Sequence, residues 1–68
     1  MTLSEVVATN IHSLRTKRKL SQQALADRTG FSVSYISMLE RGNRTPPLDT
    51  LESLARSLKV KPIDLLSA

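Results

Sequence analysis

Residues 29–42 read TGFSVSYISMLERG. Gly30 suits a turn, Ser32 a helix cap and Gly42 a helix stop, so the stretch predicts a short helix over about residues 33–41. At about 100° per residue, Ile36 and Leu39 share one side with Tyr35 beside them, and Val33, Ser34, Ser37, Met38 and Arg41 fall within an arc of about 140° on the other. That outer arc holds no Lys, Asp or Glu. A helix meant only for water normally carries more charge on its outer face. Hydroxyls, a branched methyl pair, a thioether and a guanidinium can approach another surface closely, and the hydroxyls both donate and accept. Such groups suit a major groove, where hydrogen bonding and contact with thymine methyls are both used. They also suit a small polar face in water with Met38 partly covered, and periodicity alone leaves both readings open.

Working outward, Ser21 is a second cap candidate, opening a helix from Gln22 to Arg28 whose inner face is Leu25 and Ala26. Gly30 closes it as a left-handed residue, and Phe31 stands where it can pack back. Upstream, Thr2-Leu3-Ser4-Glu5 has the form of a capping box. Val7, Ile11 and Leu14 follow at helical spacing, giving a first helix over about residues 3–18. Downstream, NRTPP at 43–47 is the one loop-like segment, because its prolines cannot sit inside a helix. A fourth helix over about 48–58 should turn Leu48, Leu51, Leu54, Ala55 and Leu58 inward. Val60 leads to a last short helix opened by Pro62, with Ile63, Leu65 and Leu66 as its apolar contacts. No strand alternation and no repeat interrupts this pattern. The expected fold is all-α, five short helices around one core, forming one domain over residues 1–68.

Composition narrows the function. The chain has 68 residues, a net charge of +4, no Cys and a single His. That excess charge attracts polyanions without choosing among nucleic acid, anionic lipid and acidic protein. The only aromatic residues are Phe31 and Tyr35, too few platforms for single-strand binding by stacking. The polar face of the first helix is mostly Ser, Thr and Asn until Arg15, with no bulky aromatic anchor, which disfavours a membrane-coating role. No apolar run is long enough to span a bilayer, and MTLSEVVATN lacks the pattern of a signal peptide. A cytoplasmic location is expected. His12 stands alone, the carboxylates are scattered, and no Ser or Thr has a basic partner, so neither enzymatic chemistry nor a metal or other cofactor is expected. Arg15, Lys17, Arg18 and Lys19 crowd the end of the first helix, where cations complement the helix dipole and can equally face phosphates.

Two short helices joined by a glycine turn, the second with a weakly charged outer face, make a helix-turn-helix unit. LSQQALADRTGFSVSYISMLERGNRTPPLDTLESLARSLKV, residues 20–60, resembles the Cro/CI-type (XRE-like) helix-turn-helix regulators of bacteria and phages. The resemblance rests on Leu20-Ser21-Gln22, Leu25-Ala26, Gly30, Ile36-Ser37, Glu40-Arg41-Gly42, Pro46 and the leucines of the fourth helix. Pro47 departs from the family, in which many members place a capping Ser.

The resemblance implies a lambda-repressor-like DNA-binding fold and a small transcriptional regulator, more in keeping with a repressor, acting on double-stranded DNA with an inverted-repeat operator. It implies base contacts from Val33, Ser34, Ser37 and Met38. It implies backbone contacts from Ser21, Gln22, Ser32, Tyr35, Arg41, Asn43 and Arg44; Tyr35 serves equally as core cover. An Arg15–Glu40 ion pair would fix the third helix against the first. Homodimerisation would use Val60, Pro62, Ile63 and Leu66, residues that can also close the monomer core. A chain ending at Ala68 leaves no room for an effector domain, so no small-molecule ligand is expected. Members that bind protein partners keep that second function open. None of the four base-facing residues is a bidentate reader, so DNA shape and bridging water should share in specificity.

Overall fold

A computed structural model describes all 68 residues, as five helices: α1 Leu3–Lys17, α2 Gln22–Thr29, α3 Val33–Glu40, α4 Leu48–Leu58 and α5 Pro62–Leu66. The expected elements are present, with ends moved by a residue: Arg18 and Arg41 are caps and no longer helical, and α2 runs on through Thr29. Such shifts are the ordinary fraying of helix ends.

Local chemistry explains each start and stop. Glu5 N–H donates to Thr2 Oγ1 at 3.2 Å while Thr2 N–H donates to Glu5 Oε1 at 2.8 Å, a reciprocal capping box on α1. Ser21 and Ser32 hydroxyl oxygens each accept at 3.0 Å, from Ala24 N–H and Tyr35 N–H. Gly30 ends α2 in the left-handed region at φ 80°. Pro47 leaves α4 without a capping side chain, yet the helix still begins at Leu48 because the Pro47 carbonyl accepts from Leu51 N–H at 3.0 Å.

Left-handed Lys19 and Lys59, at φ 59° and 58°, stand where α1 and α4 end. A Cβ is unfavourable there, and a glycine is not. Replacing Lys59 by Gly is therefore expected to raise stability by about 0.5 kcal/mol, and replacing Gly30 by Ala to lower it by about 1 kcal/mol. Shifts of the urea midpoint at constant slope measure both.

The core is one cluster in which Ile11, Leu25, Ile36, Leu54, Leu58 and Leu65 are fully buried, joined by Val7, Leu39, Leu51 and Ala55. α1 runs through the assembly with α3 on one side and α5 on another, α2 packs on α3, and α4 closes beneath. Asn10 fastens α5 to α1, its Nδ2 donating to Leu65 O at 3.0 Å and Ser67 O at 2.7 Å. Gly42 lets the chain leaving α3 press on α1: a Cβ there would already lie 3.5 Å from Ala8 Cβ and from Glu5 Cα.

One inward assignment is corrected. Leu48 was expected in the core and is 79% exposed. It occupies the first turn of α4, which projects past the elements that cover Leu51, Leu54, Ala55 and Leu58. Periodicity gives a residue's direction around a helix; it does not say whether anything lies opposite that turn.

Candidate nucleic-acid interface

The α2–turn–α3 unit brings most of the candidate residues to one side. Ser21 and Ser32 lie exposed just ahead of their helices, and because their hydroxyl oxygens accept from the backbone, their hydroxyl hydrogens stay free to donate outward. On α3, Ser34 is exposed and Ser37 half-buried. Val33 and Met38 are also half-buried and pack partly against the core. The hydroxyls therefore dominate the free surface of α3, and the apolar candidates share their area with the interior. The Tyr35 ring stacks edge-on against Phe31, centroids 5.3 Å apart at 80°, and covers the core beside the turn. Arg41, Asn43 and Arg44 are exposed beyond the end of α3, and neither arginine is within ion-pair distance of a carboxylate.

Behind this surface, Glu40 gathers donors from two other helices. Arg15 Nε donates to its Oε2 at 2.7 Å, and Arg15 Nη2 to its Oε1 at 3.0 Å. The same Oε1 accepts from Gln22 Nε2 at 3.2 Å and lies 3.2 Å from His12 Nδ1. Arg15 Nη1 donates in addition to Leu20 O at 2.8 Å, tying the chain entering α2 into the same network. The bidentate ion pair thus locks α3 to α1 with both side chains nearly buried. Burial pushes the Glu40 carboxyl up, but the hydrogen bonds from Arg15, His12 and Gln22 and the Arg15 charge together outweigh it, so the group stays below its ordinary value. The hydrogen bond to Glu40 holds Arg15 above its own ordinary value.

A carboxyl lowered on folding stabilises the fold in its ionised form. That stabilisation is complete above the unfolded-state value and is lost as pH falls through the folded-state value. Wild-type stability should therefore fall below the ordinary Glu value of 4.5. A Glu40→Gln variant, less stable at neutral pH, should show a flatter acid limb, the remainder coming from Glu5, also lowered by its capping hydrogen bonds with Thr2. Urea midpoints across an acid pH series measure the difference.

Gln22, expected to meet a phosphate, is half-buried with its amide on Glu40. One Nε2 hydrogen serves that bond and the second remains available. Of the residues expected at a dimer contact, Val60 and Leu66 pack partly on the core, while Pro62 and Ile63 are exposed, Ile63 at 59%. Sequence reasoning missed His12 as a neighbour of Glu40. The signal was present, since His12 and Arg15 are three residues apart on α1 and so share a face. No three His, Cys, Asp or Glu side chains cluster as a metal site would require.

A glycine-turned pair of helices, the second offering a hydroxyl-lined face flanked by free arginines, defines the helix-turn-helix class of DNA-binding proteins. Residues 11–65 match the family described as Helix-turn-helix, and the chain belongs to it, as an XRE-type helix-turn-helix transcriptional regulator. It is 39% identical over 67 residues to an uncharacterised HTH-type transcriptional regulator, y4dJ, of Sinorhizobium fredii, covering 98% of this chain and 87% of that one. It is 37% identical to the control protein C.SmaI of Serratia marcescens, covering 98% of this chain and 80% of that one. Among solved structures, the restriction-modification controller protein C.AhdI of Aeromonas hydrophila superposes with a TM-score of 0.86 at 34% identity, over 91% of this chain and 94% of that one.

Proposed function

We propose that this regulator binds double-stranded operator DNA sequence-specifically, with α3 in the major groove, and acts in the cytoplasm as a homodimeric repressor. The observation that carries the reading is the position of Ser34 and Ser37 on the free face of α3, with Arg41, Asn43 and Arg44 beyond one end and Ser32 and the Ser21–Gln22 segment at the other. Ser34 and Ser37 would read base edges, helped by the exposed parts of Val33 and Met38. Arg41, Asn43 and Arg44 would run along the phosphates, and Ser21, Gln22, Ser32 and the Tyr35 hydroxyl would hold the backbone on the opposite side. Backbone contacts set register and most of the affinity, and base contacts set sequence choice.

Two copies related by a two-fold axis would meet through Pro62 and Ile63, with Val60 and Leu66 at the rim. The half-sites would then lie about one helical turn of DNA apart. Alignment with control proteins over most of their own lengths supports a short regulator of this kind. Selection of genomic fragments by the purified protein, followed by titration of the enriched duplex over a salt series, tests the reading. An enriched inverted repeat, bound far more tightly than random duplex and with affinity falling steeply in salt, is expected. Weak, motif-free binding would overturn it and favour a protein partner.

A further inference from the structure

We propose that His12 is a positioning residue of the DNA interface: by its protonation state the imidazole decides whether Glu40 Oε1 holds the Gln22 amide inward or releases it to a phosphate. The inference rests on the DNA-binding reading above. It starts from crowding at one atom. Glu40 Oε1 has Arg15 Nη2 at 3.0 Å, Gln22 Nε2 at 3.2 Å and His12 Nδ1 at 3.2 Å. His12 Nδ1 also lies 3.2 Å from Arg15 Nη2. One ring nitrogen cannot accept from a guanidinium and donate to a carboxylate at once.

The two protonation states therefore differ in what they leave for Gln22. With Nδ1 bare, it accepts from Arg15, and Oε1 is left to Arg15 and the Gln22 amide. With the ring protonated, Nδ1–H must turn to Oε1 and brings a charge, making a stronger bond than a neutral amide can. Gln22 is the uncharged competitor and the one that yields. Its side chain starts α2, at the edge where a phosphate would sit, and once released it has both Nε2 hydrogens to offer.

The charged groups facing the ring are few. Arg15 comes from its own helix and Glu40 from α3, while α2 contributes only the neutral Gln22. α5 lies around α1 from His12, at Asn10, and α4 turns Leu51, Leu54, Ala55 and Leu58 to the core and keeps Asp49, Glu52 and Arg56 exposed. The His12 side chain is 60% exposed, so protons reach it freely. His12 is the only histidine in the sequence, so a change between about pH 6 and pH 8, where imidazoles titrate, has a single side-chain source.

The test has two arms. In the free protein, NMR titration should move the Gln22 side-chain amide signals with the same midpoint as the His12 ring. On the selected duplex, affinity should rise about fivefold or more from pH 8 to pH 6. That rise should vanish in His12→Gln, which can still donate to Glu40 and does not titrate, and should shrink in Gln22→Met. A Gln22 amide blind to His12 overturns the proposal. So does a pH effect that survives His12→Gln, or one that Gln22→Met leaves intact, which would make the ring a simple phosphate-facing charge. Failure to bind any duplex at every pH would instead sink the DNA-binding reading, and the NMR arm would still decide the coupling.

Discussion

Replacing Glu40 by Ala should cost about 3 kcal/mol of stability, because it strands the nearly buried Arg15 guanidinium with only Leu20 O and the His12 ring as partners. In a chain this small that corresponds to a fall in Tm of about 12 °C or more. DNA affinity should drop about tenfold or more at a temperature where the variant is still folded, since α3 loses its anchor on α1 and Gln22 loses its seat. The pair as a whole should matter less than either half. A double variant, Arg15→Met with Glu40→Met, removes both charges and refills the space, and should regain most of the lost stability. It should not regain the affinity. Thermal melts and duplex titrations on the single and double variants complete the cycle. An unchanged Tm and affinity in Glu40→Ala would mean that the buried network neither holds α3 nor shapes the interface.

Ser34→Glu should abolish specific DNA binding, by about 100-fold or more, while leaving the fold intact. Ser34 is exposed in the first turn of α3. A carboxylate there is favourable for the isolated helix, because it faces the positive end of the dipole. Brought against DNA it meets phosphates and base acceptors with no partner, and like-charge juxtaposition of that kind costs several kcal/mol. Tm should stay within a few degrees of the wild type, and Ser34→Ala should lose only a small part of the affinity. A Glu variant that holds the selected duplex as tightly as the wild type would mean that α3 does not enter the groove. The two substitutions separate two roles: Glu40 acts from behind the surface through stability and placement, and Ser34 acts at the surface itself.

Much of this architecture was readable along the chain because its signals are local. Thr2 with Glu5, Ser21, Ser32 and Gly30 each act on backbone groups within a few residues, so their spacing alone predicts where helices start and stop. The buried stripe Leu51, Leu54, Ala55 and Leu58 follows from helical period in the same way. The order of these pieces also carried the family resemblance, with which the matches to known proteins agree. Val33 and Met38 were less legible. Their direction on α3 is correct, but their partial burial depends on the core packed behind that helix, and no spacing reports this.

What the sequence by itself determined is therefore an all-α chain of five helices with a helix-turn-helix at 22–40 and a positive charge suited to DNA, since caps, glycine turns and helical period are short-range. Only the tertiary structure decided that Leu48 overhangs the core, that Asn10 pins α5, and that Glu40 Oε1 is shared by Arg15, Gln22 and His12. Each of these is set by what another helix, tens of residues away in the chain, places opposite the residue, and a linear pattern holds no record of that meeting.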